Sequence, residues 1–350
     1  MWGTEDDDLR TILVNGLQSR IRRNLFSFLD MYQHDANREL IWIDQLCINQ
    51  DDEVEKSSQV AMMGGIYRGA NETLIWLGCN VEGQLPLATL REQLFDPDTG
   101  QVRARSPQEH RAFWRGANGR SALELIKTIT SSPYWTRLWV GQEICLSTRP
   151  TLATGDQRLD LPCFVSMFEQ CERHNRKPVH EFAMGFNALL QLLEYEDLTE
   201  SGNSNLLFNS VTYFAMRSFC CDPRDKIFGV QALLTDRLQI RPDYTRSICE
   251  IYWSAAEHYF RRSCWAEREL PINRWYYIQG ISQLAAALST QSQRQSLRGY
   301  LSHRICRDRH DEGRDEDYYG TMTWEEMKAH IEAGLRATFR DLSKASLSTG

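Results

Sequence analysis

Two stretches set polar side chains inside apolar sequence, and any chemistry would be carried there. The first is Leu40-Ile41-Trp42-Ile43-Asp44, which continues through Gln45-Leu46-Cys47 to Asn49-Gln50-Asp51-Asp52. A lone buried charge is strongly disfavoured, so a carboxylate within an apolar run is paired or belongs to a site. That marks Asp44. Asp51 and Asp52 read more simply as the acidic start of the next helix. The second stretch is Tyr134-Trp135-Thr136-Arg137-Leu138-Trp139-Val140-Gly141-Gln142-Glu143. Trp135, Leu138, Trp139, Gln142 and Leu146 fall at helical spacing as one stripe, most of it core. Glu143 borders that stripe, and Arg137 is placed elsewhere on the same helix. A glutamate at the rim of a tryptophan-rich face is either a satisfied structural carboxylate or a site carboxylate. Spacing alone favours the structural reading.

Other groupings carry less. His303, Cys306 and His310 share one helix face, a spacing that could hold zinc, but no fourth ligand accompanies them and a solvated face is the expected reading. Cys171-x-x-His174 is weaker still. The sequence has no GxSxG, HExxH, Walker or GxGxxG motif. Hydrolase, kinase and dehydrogenase classes therefore lack support, and no metal is expected.

These residues need elements to position them. Leu40 to Cys47 is expected to be a strand buried on both faces, because its apolar run does not alternate. A helix over Val54 to Ala70 follows, with Val60, Met63, Tyr67 and Ala70 on one face, and then a second strand, Thr73 to Leu77, stopped by Gly78. Strand, helix and parallel strand form a βαβ unit. It would put Asp44, Asn49 and Gln50 at the carboxyl end of the first strand, where open α/β sheets bind ligands. Gly64-Gly65 within the helix implies close packing or a kink. Upstream, Arg10 to Val14 closed by Asn15-Gly16 predicts a hairpin or strand edge. Asn24 to Tyr32 predicts an amphipathic helix capped by Asn24. Cys79 to Gly119, rich in Pro and Gly, reads as an insertion with one or two short helices. Ser121 to Thr130 is helical and Thr151 to Thr154 is a short strand. Residues 161–262 are mainly helical, with Asp222 to Val230 opening a helix and Arg241 to Tyr244 forming a turn.

The chain of 350 residues is 42% hydrophobic and 11% aromatic, ample for a core, and its formal charge is −7. That balance argues against a nucleic-acid partner. Ten cysteines are scattered without a CxxC pair. The acidic start lacks an apolar signal region and no stretch approaches a membrane span. A cytoplasmic protein with reduced thiols is the expectation.

Together these segments resemble the fungal heterokaryon incompatibility (HET) domain. Trp2-Gly3 resembles the end of that family's opening Tyr-x-x-x-Ser-Tyr-x-Trp-Gly block. Leu40 to Gln50 resembles its LWIDAICINQ signature, with Gln45-Leu46 replacing the usual small pair. Glu55 to Val60 with Met63, Ile66 and Tyr67 resembles its EKSxQVxxMxxIY helix, and Leu74 to Gly78 its VIVWLG strand. Tyr134 to Glu143 resembles YWxRxWVxQE, and Thr154-Gly155 its closing Cys-Gly pair. Asp222 to Gly229 and Pro242-Asp243-Tyr244 resemble downstream blocks.

The resemblance implies an α/β fold, a flavodoxin-like or TIR-like parallel sheet core followed by a mainly helical region. Residues 1–155 would be the HET domain, with the family's first strand missing upstream of Met1, so that either the sequence starts late or the sheet lacks a central strand. Residues 156–262 would be an associated helical region and 263–350 a variable, partly disordered tail. The implied role is fungal non-self recognition that triggers programmed cell death. It would act through association with itself or another incompatibility protein, with no cofactor required. The alternative is a TIR-like enzyme that cleaves NAD, its substrate, at the nicotinamide–ribose bond. Trp139-Val140-Gly141-Gln142-Glu143 looks similar to the tryptophan-rich context of the TIR catalytic glutamate. Glu143 would then stabilise the positive charge that develops on the ribose. Asp44, Asn49, Gln50 and Gln142 would be the ligand-binding residues.

Overall fold

The structure is a computed structural model. It describes residues 9–34, 40–78, 87–96, 103, 106–174, 183–196, 204–234, 238–247, 250–251, 254–255 and 258–259. The chain divides into two compact units. One gathers Met1–Asp44, Tyr67–Thr136 and Ser147–Asn187, and the other gathers Gln45–Ile66, Arg137–Leu146 and Ala188–Gly350. The fold is mixed α/β among the described residues.

The first unit opens with an antiparallel hairpin, β1 (Leu9–Val14) and β2 (Leu17–Arg22). Its two-residue turn has positive φ at both positions, 52° at Asn15 and 81° at Gly16. That twist matches the flanking strands, which is why Asn-Gly forms hairpins. Helix α1 (Arg23–Gln33) follows directly with Arg22 at its N-cap. The expected cap, Asn24, is instead the second helical residue.

A three-stranded sheet forms the unit's centre. Strand β3 (Thr73–Trp76) pairs in parallel with the central strand β4 (Pro150–Thr154), and β5 (Gln157–Asp160) pairs antiparallel with β4 on its other side. Gly155, at φ 55°, makes the β4–β5 turn. β3 is buried on both faces, as a parallel strand should be. Phe28, Trp76 and Ala153 make one cluster, joined by Leu25, Leu29, Ile43 and Leu74.

The expectation of a strand over Leu40 to Cys47 is overturned. Leu40 is fully exposed at 105%, residues 41–43 are irregular, and Asp44–Cys47 is a single helical turn, α2. The parallel neighbour of β3 is β4. Ile43 finds its apolar surroundings in the Phe28 cluster, and Trp42 meets Tyr67 edge-to-face at 5.9 Å. Trp42 and Ile43 therefore find side-chain packing without a strand ladder, while Leu40 and Ile41 stay exposed.

The insertion contributes α4 (Leu87–Leu94) and α5 (Pro107–Arg115). Ser106 and Glu109 close a capping box at the start of α5, satisfying two helix-end N–H groups. Helix α6 (Ala117–Thr130) is followed by a 3-10 turn, Pro133–Thr136. Trp135 is 1% exposed, and its indole N–H donates to the Ile129 carbonyl at 2.5 Å. With Phe164 and Phe168 of α8 (Leu161–His174), and Phe186 at the start of α9 (Met184–Glu196), it forms an aromatic cluster of edge-to-face pairs.

The second unit contains most of α3 (Glu53–Gly69), then α7 (Val140–Cys145), α10 (Ser204–Arg217) and α11 (Asp225–Phe228). Residue Gly64 is buried, but a Cβ on Gly65 would meet nothing within 4 Å, so close packing does not explain the second glycine of the pair. Ser247 and Glu250 exchange capping-box hydrogen bonds ahead of a helical stretch whose Ile251, Ala255 and Tyr259 are buried. His303, Cys306 and His310 lie outside the described residues. Among the described residues no helix is long and apolar enough to cross a membrane, and no group of three or more His, Cys, Asp and Glu could hold a metal ion.

Candidate functional site

The expected continuous helix from Trp135 to Leu146 does not form. After the 3-10 turn, Arg137 makes an isolated parallel bridge with Phe219, and the Leu138 N–H donates to the Phe219 carbonyl at 2.9 Å. Only at Val140 does α7 begin. This break changes where Arg137 points. On one helix it would face away from Glu143; here its Nη2 lies 3.8 Å from Glu143 Oε1, with both side chains largely buried, 19% and 14% exposed. Glu143 also sits in the first turn of α7, where the helix dipole favours an acid.

Gln142 is 1% exposed. Its amide donates to the Phe228 carbonyl at a long 3.5 Å, and its Oε1 meets no donor among the described residues. Gly141 lets this turn lie against α10. A Cβ there would come within 2.6 Å of the Phe214 ring.

Asn49 helps build the start of α3. Its N–H donates to Glu55 Oε1 at 3.0 Å, and its Oδ1 accepts from the Asp51 N–H at 3.2 Å. Asp52 caps the helix by accepting from the Val54 and Glu55 N–H groups. Gln50 is exposed in the turn between them. Asp44 is half-buried at the head of α2 and belongs to the other unit. With no strand at 40–47, Asp44, Asn49 and Gln50 do not sit at a strand's carboxyl end. Asn49, Gln142 and Glu143 each have a separate structural contact.

The densest polar grouping lies where sequence reasoning saw only a helix start and a turn. Asp222 accepts from the Arg224 backbone N–H at 2.9 Å and from its guanidinium at 2.8 to 3.1 Å. The Arg224 guanidinium also donates to the carbonyls of Tyr244 and Arg246 and reaches Glu53 at 3.4 Å. Lys56 lies 3.8 Å from Asp222 and 4.2 Å from the centre of the Tyr244 ring. Ser57 Oγ accepts from the Tyr244 N–H at 2.8 Å. Burial pushes the Asp222 carboxyl up, but the Arg224 hydrogen bonds and charge outweigh it and hold Asp222 below the usual range.

Behind this clamp sits Asp225, 6% exposed. Its Oδ1 accepts from the Tyr244 hydroxyl at 2.5 Å, and its Oδ2 accepts from the Trp139 indole N–H at 3.3 Å. Burial pushes its carboxyl up to about 6, against the lowering effect of the Tyr244 hydrogen bond. Burial likewise raises the Tyr244 hydroxyl, which keeps its proton. Lys226 is buried too. Its ammonium donates to the Ala215 and Ser218 carbonyls, closing the C-terminal end of α10. Three blocks far apart in sequence, at 53–57, 222–226 and 244–246, are thereby fastened to each other and to Trp139.

Residues 1–143 match the family described as heterokaryon incompatibility protein (HET). The similarity to a HET domain thus lies in residues 1–143. The chain is also 26% identical to "Heterokaryon incompatibility protein 6, OR allele" of Neurospora crassa, over 59% of this chain and 36% of the relative. The chain therefore spans little more than a third of that curated relative's length. No solved structure matches it.

Proposed function

We propose that this chain is a fungal non-self recognition protein whose HET domain triggers programmed cell death by association, with a second copy or another incompatibility protein as partner. The family match over residues 1–143 carries this reading. Two observations favour association over catalysis. Glu143 lies beside Arg137 in a largely buried ion pair, and the concentrated charges of the second unit join its own segments to one another. The parallel β3–β4 pair supports a flavodoxin-like strand arrangement. A cytoplasmic location fits the composition.

The test is inducible expression in a fungal host, with growth and vital-dye uptake scored against protein level. Death on induction is expected, both for the unaltered chain and for Glu143→Gln, while purified protein leaves NAD intact with or without forced dimerisation. Healthy growth at full protein level overturns the non-self death role. NAD loss that Glu143→Gln abolishes overturns association and makes the chain an NAD-cleaving enzyme.

A further inference from the structure

We propose that Asp225, with Tyr244 and Trp139, forms a proton-operated latch that holds the head of α7, and so the segment bearing Gln142 and Glu143, against α11 and the 244–246 turn. The inference stands apart from the cell-death reading.

The geometry supplies the device. One nearly buried carboxyl is gripped from two sides, by a phenol from the 244–246 turn and by an indole at the N-cap of α7. When ionised, Asp225 accepts both hydrogen bonds but leaves a charge in the interior, which is costly. When neutral, its hydroxyl can donate to the Tyr244 oxygen while its carbonyl oxygen keeps Trp139, so the grip survives without the charge.

The surrounding groups leave that charge poorly balanced. On its own helix, Lys226 donates to the Ala215 and Ser218 carbonyls. In the preceding turn, Asp222 repels it and Arg224 is engaged with Asp222. From α3, Lys56 attracts Asp225 but stands nearer to Asp222, and Glu53 pairs with Arg224. In the 244–246 turn, Arg246 donates to Glu250 and Ser254. On α7, Glu143 faces Arg137. After α10, burial pushes the Cys220 thiol up to about 12, and Cys221 is exposed. Asp222, held low, and Cys220 and Tyr244, pushed up, do not titrate near neutrality.

The sign follows from linkage. A carboxyl whose pKa is higher when the latch is shut than when it is open favours the shut state at low pH. That advantage fades as pH rises toward about 6 and is gone above it. Opening of α7 should therefore increase by roughly tenfold per pH unit between about 4 and 6, and level off above.

Two measurements on the full chain test this. In the first, the Trp139 indole N–H resonance, assigned by its loss in Trp139→Phe, should titrate with a midpoint near 6. Tyr244→Phe removes a hydrogen bond that holds the pKa down, so it should move the midpoint upward. In the second, hydrogen exchange over residues 139–146, corrected for intrinsic rates, should lose protection on the order of a hundredfold from pH 4 to pH 6. Asp225→Asn should flatten both. An indole resonance that does not titrate, a midpoint unmoved or lowered by Tyr244→Phe, or an exchange profile unchanged in Asp225→Asn overturns the latch. If Asp225→Asn fails to fold, the direction of the Tyr244→Phe shift alone decides.

Discussion

Both units bury apolar side chains, but only the second adds a dense buried polar network to them. In the first, Trp135, Phe164, Phe168 and Phe186 meet edge-to-face with centroids 4.8 to 5.6 Å apart, beside strands buried on both faces. In the second, Asp222, Arg224, Asp225, Lys226 and Lys56 are gathered around Tyr244 and the end of α10. Aromatic packing is insensitive to pH and salt, and it tolerates changes that preserve volume. A buried polar network is unforgiving, because removing one member strands the others. Sensitivity to protons should therefore be concentrated in the second unit.

The largest effect is expected in the aromatic unit. Phe186 is 0% exposed and touches Trp135, Phe164 and Phe168. Phe186→Ala should cost about 3–5 kcal/mol through lost burial and the cavity left behind. Denaturant unfolding at pH 5 and pH 7 should return the same cost. A cost that changes with pH would show that the unit is not held by packing alone.

Arg224→Ala should cost somewhat less, about 2–4 kcal/mol, by taking the guanidinium away from Asp222, which keeps only the backbone N–H and Lys56, and from two carbonyls. Its signature is the pH dependence. Asp222 has a lowered pKa in the folded chain, so its contribution is present above the ordinary carboxylate range and is lost as pH falls through the folded value. The gap between the unaltered chain and Arg224→Ala should narrow in acid. If instead the gap stays constant down to pH 3, Asp222 and Arg224 are not energetically coupled.

The two units were also unequally legible in the sequence. Local signals carried the first: Asn15-Gly16 specified its hairpin, the apolar spacing from Leu25 to Tyr32 specified α1, and the unbroken run Thr73 to Leu77 specified β3. The one serious misreading there, Leu40 to Cys47, arose because an apolar run signals burial without saying how the backbone is paired. The polar clamp is a different case. Asp225 and Tyr244 looked like a helix start and a turn residue, and nothing at either position announced that they share a hydrogen bond across 19 positions. The only pointer was the resemblance of the blocks around Lys56, Asp222 and Tyr244 to those of one family, which marked the segments without giving their contacts. Arg137 was misplaced for a related reason. A stripe at helical spacing concealed the break at Leu138 that turns Arg137 toward Glu143.

The smallest expected effect tests whether α3 belongs with the forgiving or the unforgiving part. Gly65 lies inside α3, on its exposed side, and a Cβ there would meet nothing within 4 Å. Glycine in a helix interior loses more backbone freedom on folding than alanine does, so Gly65→Ala should stabilise by about 1 kcal/mol without disturbing a contact. Gly64, its buried neighbour in the helix, is the control: an added methyl there enters packed surroundings, and the same substitution should not stabilise. Urea midpoints for the two variants separate the outcomes. A gain at Gly65 alone shows a helix whose fastening lies in its first turns, at Glu53, Lys56 and Ser57, with a permissive middle. A loss at Gly65 would mean that α3 needs a glycine there to bend, and the clamp at its N-terminal end would then depend on that bend.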